Sequence, residues 1–383
     1  MSEIKVNSIK GVGASTAAIS VNNTDGTCTA NITNNLSNRN VIVNGEFQIA
    51  QRAVSTASIT SDGYHTVDRW VTNIGTAGTW TQSQSTDVPA GTAFRSSLKM
   101  DCTTADASLA AGDRLMISQR LEGQDVQRFG KGTTSPKKFA LSFWVKSPKT
   151  GTHIVELFDH DNSRHICKAY TIASADTWEQ QKLIIDNETS NAFGNDNGKS
   201  LQIHFYLAAG STYTSGTLAT SWAANTNANR AVGQVNVADS TSNNFYLCGV
   251  QLEASDVCTD FEHRSFAQEL ALSMRYYETH NSLTTAKTTD GSVTSYWSTI
   301  SSNDSNTLVI PTGIVYKVPK RASPTVTIYN PSDTSTAARV NAQGTERTVT
   351  ASYGGPHALT RIYVSGASAG NYVTYNWEAS AEL

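Results

Sequence analysis

The sequence predicts an all-β protein: an antiparallel two-sheet β-sandwich, one short linking helix, a smaller C-terminal β-sandwich and an extended N-terminal arm. Three observations predict it. Ser, Thr and Asn together number 119 of the 383 residues, while charged residues are only 16%. Polarity is thus carried by hydroxyls and amides, which suit turns and exposed strand faces better than helix interiors. Short segments alternate apolar and polar residues with period two between turn-rich gaps, as strands with one buried face do. No long helical pattern intervenes, which disfavours parallel βαβ units. Fourteen Tyr, eleven Phe and seven Trp supply real cores and argue against disorder.

Residues 1–40 read as a separate arm. From Gly11 to Asn40 the chain is small and polar, and only IKVNSI (4–9) and AAISV (17–21) read as strands. Such a segment either stays disordered or becomes ordered on a partner. Residues 41–264 carry the strongest strand signal. In 139–147, Phe139, Leu141, Phe143 and Val145 share one face; in 201–208, Leu201, Ile203, Phe205 and Leu207 do so, with Gln202, His204 and Tyr206 opposite. Segments 152–158, 178–186 and 244–253 are further strands, separated by turns such as 159–164 and 191–199. Residues 265–280 hold the linking helix. Ser265 with Gln268 three positions on forms a capping box, and Phe266, Leu270, Met274 and Tyr277 fall near one stripe over 266–278. Residues 281–383 return to short strands at 295–300, 306–312, 325–329, 361–365 and 371–379, with Pro311, Pro319 and Pro324 at strand ends or edges.

Charge and targeting narrow the function. Lys plus Arg number 29 and Asp plus Glu 32, so no basic field invites nucleic acid or anionic lipid. No apolar run is long enough to insert in a membrane, and MSEIKVNSIK lacks a signal-peptide core. The expectation is synthesis in a cytoplasm, with exit by lysis or within an assembly. Cys28, Cys102, Cys167, Cys248 and Cys258 are odd in number and lack a C-x-x-C pair; they read as free thiols filling apolar space.

No catalytic or metal motif survives its context. Gly366-Ala367-Ser368-Ala369-Gly370 matches a nucleophile elbow, but the elbow needs a helix after it and an acid then a His downstream. No His follows His357 and no Asp follows Asp333. Gly11-Val12-Gly13 lacks both the third glycine of a dinucleotide site and the Lys of a P-loop. Asp159-His160-Asp161 starts like a calcium loop, but Arg164 and Tyr170 stand at the positions of its Gly and Glu; a polar hairpin turn is the better reading. His153 and His204, inside strand patterns, read as surface or satisfied residues. No catalytic residue, metal or cofactor is expected. The aromatic candidates for sugar binding are Tyr213 and Trp222, flanking a polar loop, and Tyr296 with Trp297 near another. Sugars lay C–H faces on rings while amides and hydroxyls take their OH groups.

Several stretches together resemble the tail-fibre-like proteins of short-tailed, marine-type bacteriophages. They include SNRNVIVNGEFQIAQR (37–52), Asp68-Arg69-Trp70, GTWTQSQSTDVPAG (78–91), QRLEG (119–123), LSFWVKS (141–147), FYLCGVQLE (245–253), FEHRSFAQELALSMRYYE (261–278) and WEASAEL (377–383). The middle part also resembles a carbohydrate-binding-module jelly roll through Asn44-Gly45-Glu46-Phe47. That group often carries a structural calcium, but Gln48 and Cys248-Gly249 stand where its acids are usual. The resemblance implies a tail component of the virion: a homotrimeric fibre whose arm attaches to the tail hub or nozzle and which binds host surface polysaccharide during adsorption. The alternatives are a tail-borne glycan depolymerase, or a capsid- or neck-attached fibre or decoration without a receptor role. With residues 1–40 as anchor, residues 281–383 would form the tip.

Overall fold

The computed structural model describes residues 6–13, 17–22, 24, 28–30, 37–280, 296–299, 307–310, 313–331, 336, 338–340, 345–347, 349–365 and 372–383. The Ser368 motif lies outside them. In the arm, β1 (Ser8–Ile9), β2 (Ile19–Val21) and β3 (Cys28–Ala30) form a small antiparallel sheet in that order. Val6, Ile9 and Val12 are exposed beside it.

The sandwich begins with β4 (Ser55–Ile59), β5 (Val71–Gly75), β6 (Thr79–Ser85), β7 (Ser97–Thr104) and β8 (Arg114–Glu122). It continues with β9 (Phe139–Lys146), β10 (Gly151–Asp159), β11 (Arg164–Ile172), β12 (Glu179–Ile185), β13 (Lys199–Ala209), β14 (Ala223–Ala224) and β15 (Asn244–Ala254). One six-stranded sheet runs β14-β11-β10-β13-β8-β5 and the other β12-β9-β15-β7-β6-β4, antiparallel throughout. The alternation read from 139–145 and 201–207 is obeyed, since all eight apolar residues named there enter the core between the sheets. Trp70 lies against Phe47 at 5.0 Å, and Phe143 meets Phe205 edge-on at 5.0 Å. Both buried indoles are satisfied: Trp70 Nε1 donates to the Asn44 carbonyl at 3.0 Å and Trp80 Nε1 to the Ala77 carbonyl at 2.7 Å.

The Asn44–Phe47 corner needs its sequence. Asn44 and Phe47 sit at φ 57° and 58°, a region Asn tolerates because its amide bonds locally; here the Asn44 side chain bridges to Ile49 and Asp68. At Gly45 a Cβ would lie 2.2 Å from the Val250 carbonyl oxygen, so only glycine lets β15 approach. Cys102, Cys167 and Cys248 are buried free thiols and Cys258 a partly buried one, as the sequence suggests.

The helix spans Phe266–Met274, shorter than the expected 266–278, because Tyr277–Thr279 form β16. The capping box of Ser265 and Gln268 is present. Its buried face differs from the expected stripe: Glu269, Ser273 and Met274 are inside, while Phe266 is 48% exposed. Glu269 is drawn in by Arg264 at 2.7 Å and by the Asn44 backbone N–H. Ser265→Ala should cost about 1 kcal/mol through the lost cap, read as a lowered urea midpoint at unchanged m-value. No helix among the described residues is long and apolar enough to cross a membrane.

The C-terminal part comprises β17 (Tyr296–Thr299), β18 (Thr307–Ile310), β19 (Ile314–Val315), β20 (Thr325–Tyr329), β21 (Ala338–Val340), β22 (Thr345–Arg347), β23 (Val349–Gly354), β24 (Ala358–Ser365) and β25 (Tyr372–Ser380). β25 pairs with β16, β17, β20 and β21, while β24 pairs with β18, β19 and β23. Ile314, Ile362, Val373, Tyr375 and Trp377 build a core separate from that of the sandwich. Polar ties then join the two: Arg275 grips Glu122 with two bonds of 2.7 Å, and Gln51 Nε2 donates to the Tyr277 carbonyl at 2.8 Å. Glu382 pairs with Arg52 at 3.0 Å and with the fully buried Arg69. The guanidinium of Arg69 also lies 3.4 Å over the Tyr276 ring.

Candidate functional site

The outer face of the β14-β11-β10-β13-β8-β5 sheet carries a cleft of about 320 Å³. Its floor follows from alternation and register. Because Leu115, Ile117 and Leu121 point inward, Arg114, Met116, Ser118 and Arg120 of β8 point outward. Because Leu201, Ile203 and Phe205 point inward, Gln202, His204 and Tyr206 of β13 point outward. Pairing then sets three rows across the strands: Arg120, Gln202 and Phe158; Ser118, His204 and Glu156; Asn73, Met116 and Tyr206. One side is walled by the segment 211–231, whose Tyr213, Ala219 and Ala231 cover Met116, Ile154 and Tyr206. This cover overturns the half-buried picture of 201–208. Tyr206 is fully buried, and His204, 5% exposed, is the satisfied rather than the surface residue of the two readings.

The polar groups of the floor are held firmly. Glu156 accepts two 2.8 Å bonds from Arg230, one of 2.8 Å from His165 Nδ1 and one of 3.1 Å from the Tyr206 hydroxyl. Burial alone would raise its carboxyl pKa, but these donors bring it down to about 2. Glu156, His165 and Cys167 offer ligand atoms within 4.8 Å of one another. Both carboxylate oxygens, however, already accept from the Arg230 guanidinium, so Glu156 is held in a buried ion pair with Arg230. His204 Nδ1 meets Ser118 Oγ at 2.7 Å, and burial lowers its pKa to about 3; burial likewise takes His160, bonded to Gln202 at 2.6 Å, to about 4. Both imidazoles are therefore neutral at pH 7 and act as hydrogen-bonding groups. Phe158 is a partly buried ring of the floor, 4.7 Å from His160 and with the Arg230 guanidinium 5.3 Å over one side of it. Asn73, 6% exposed, donates weakly to Asp62 at 3.4 Å, while its Oδ1 is buried with no hydrogen-bond partner. A ring flanked by neutral imidazoles, with an amide holding an unused acceptor at the other end of the cleft, can stack a flat apolar face while the polar groups around it bond hydroxyls.

Of the residues singled out from sequence, Tyr213 is at the cleft wall, where its hydroxyl accepts from Arg114 at 2.6 Å. Trp222 packs elsewhere, beside Phe139 at 6.0 Å, 4.6 Å from the Lys131 ammonium, with Nε1 donating to the Asp186 carbonyl at 2.9 Å. Tyr296 and Trp297 lie on β17, opposite Tyr375 and Thr374 of β25; their side chains fall outside the described residues. The structure thus does not bring these four together. Phe158, His160, Asn73, Arg114, Arg120 and Lys199 escaped sequence reasoning. The usable signal was the polar face of 201–208, whose neighbours need the strand order. At the Asn44–Phe47 corner, Glu46 Oε1 bonds His263 Nδ1 at 2.5 Å and Glu46 Oε2 bonds Gln48 Nε2 at 2.5 Å. Its carboxylate is thus occupied by these two side chains. The Asp159–Arg164 stretch is the hairpin turn read from sequence, with Asp159 buried against Lys131 at 2.7 Å.

Among known proteins, no family model and no curated protein matches the chain. Similar solved structures include the enzymatically active domain of bacteriophage CBA120 tailspike protein 4, at 13% identity and TM-score 0.30, covering 56% of this chain and 21% of its own. The chain thus spans about a fifth of that tailspike structure's length. Others are TmCBM61 in complex with beta-1,4-galactotriose, at 9% identity and TM-score 0.28, covering 57% and 99%, and the family 11 carbohydrate-binding module of a cellulosomal cellulase of Clostridium thermocellum, at 12% and 0.26, covering 54% and 100%. No residue role transfers across likenesses this distant.

Proposed function

We propose that the protein binds a glycan in the β10-β13-β8 cleft, as the recognition module of a phage tail fibre that contacts host surface polysaccharide. The observation that carries this reading is the cleft floor, where the partly buried Phe158 ring lies beside Gln202, His204 and His160, with the unpartnered Asn73 Oδ1 at the opposite end of the same cleft. The virion setting rests on the sequence stretches that resemble tail-fibre proteins. Within it, residues 1–40 are the attachment to the tail and the fibre is a homotrimer, a role for which the exposed Val6, Ile9 and Val12 give the arm an apolar docking surface. Tyr296 and Trp297 are proposed as a second glycan contact at the tip. A depolymerase would need a pair of carboxylates at the bond to be cut, and among the described residues Asp62 is the single carboxylate lining this cleft.

The test is affinity electrophoresis of the full chain on gels holding dextran, xylan, galactan, alginate, polygalacturonate or hyaluronate. At least one should retard it, and Phe158→Ala should weaken that retardation roughly tenfold with an unchanged melt, as loss of a stacked ring implies. Retardation by none, or retardation indifferent to Phe158→Ala, would reject the cleft as the site. New reducing ends during the incubation would convert the reading to a depolymerase.

A further inference from the structure

The cleft also carries charge, and its balance is uneven. Arg114, Arg120, Lys199 and Arg230 line it against one carboxylate, Asp62. The Arg230 charge is consumed by the buried Glu156 below. Asp159, behind His160, is paired with Lys131. Asp62 spends an oxygen on the Ile74 backbone N–H at 2.7 Å. What remains is cationic and under-bonded. Arg114 donates to the neutral Tyr213 hydroxyl. Arg120 donates to the main-chain oxygen of Leu383, and its Nε is buried with no partner. Lys199 has no ion-pair partner among the described residues, and burial with the nearby Arg120 lowers its pKa. Three cations held around one concavity favour an anion that bonds them charge to charge.

We infer that the ligand of this cleft is an acidic polysaccharide, whose carboxylates are taken by Lys199, Arg120 and Arg114 while its sugar ring lies on Phe158. This rests on the glycan reading above and names the class of glycan.

The experiment compares alginate, polygalacturonate and hyaluronate, each against its own methyl ester, so that the backbone is kept and the charge removed, with the neutral glycans alongside. At least one acid form should bind at least roughly tenfold more tightly than its ester, the size of one lost charge-assisted bond. Its binding should fall steeply between about 0.05 and 0.5 M salt as screening shortens the reach of the cations. Lys199→Met should remove most of the preference, and Lys199→Arg should keep it, at unchanged melting temperature. Equal binding of acid and ester, or of neutral glycans, would overturn the acidic assignment and leave the glycan site standing. Binding of no glycan at all would overturn both.

Discussion

Glu382→Gln is expected to destabilise the protein by about 3–5 kcal/mol, the usual cost of breaking a buried ion pair from one side. Arg69 is wholly buried and Glu382 nearly so. The guanidinium keeps its stack on Tyr276 and its bond to the Arg120 carbonyl, but neither balances its charge. Arg52 loses its 3.0 Å partner at the same time and retains Asp68 at 3.5 Å and its stack on the Tyr277 ring at 3.6 Å. Urea unfolding measures the loss. The pair Arg69→Met with Glu382→Leu should recover most of it, since two apolar groups of similar size bury without leaving a charge. A loss below about 1 kcal/mol for Glu382→Gln would show that water reaches Arg69 and that the ion pair is a surface one.

The second large effect is acid instability. Burial holds His204 near a pKa of about 3 and His153 near about 4, below the ordinary histidine value of about 6.5. Between those limits the unfolded chain binds protons that the folded chain refuses. Their stability contribution is therefore complete above about pH 6.5 and is lost as pH falls, each at about 1.4 kcal/mol per pH unit. Asp68 opposes them. Burial raises its pKa to about 6, so the folded state takes up a proton first and regains about 1.4 kcal/mol per unit as pH falls from about 6 toward 4. The net expectation is a loss of about 1–3 kcal/mol per pH unit from pH 6.5 to 4. Below that, protonation of Glu156 adds to it as pH approaches about 2. Urea midpoints across pH 4–7 test this, and His204→Gln should flatten the profile. A flat profile in the parent protein would mean that these imidazoles are hydrated.

The inner faces of the sandwich were legible because they obey period two: Phe139 to Val145 and Leu201 to Leu207 announce both strand and orientation. β4 and β6 were harder, because STASI and TWTQSQS carry hydroxyls and amides on both faces. The helix misled through Glu269, a charged residue that goes inside because Arg264 and the Asn44 N–H await it there. The cleft was hidden for a topological reason. Arg114, Phe158 and Lys199 are far apart in sequence, and only the order β10-β13-β8 brings them to one cleft. Tyr213 drew attention as a loop aromatic and does reach the cleft wall. Trp222 had the same credentials and packs against Lys131.

The place of β15 has a further consequence in time. It lies between β7 and β9, with Asn244 opposite Asp101 and Ala254 opposite Phe139. During synthesis β7 and β9 must therefore wait with open edges until β15 leaves the ribosome. At about 5–20 residues per second that wait is on the order of ten to thirty seconds for β7. Through it, Leu98, Met100, Phe143 and Val145 have no completed sheet to close over them. The nascent chain is then most prone to pair with its neighbours, which makes the sandwich a late, all-at-once closure rather than a progressive zipping from the N-terminus.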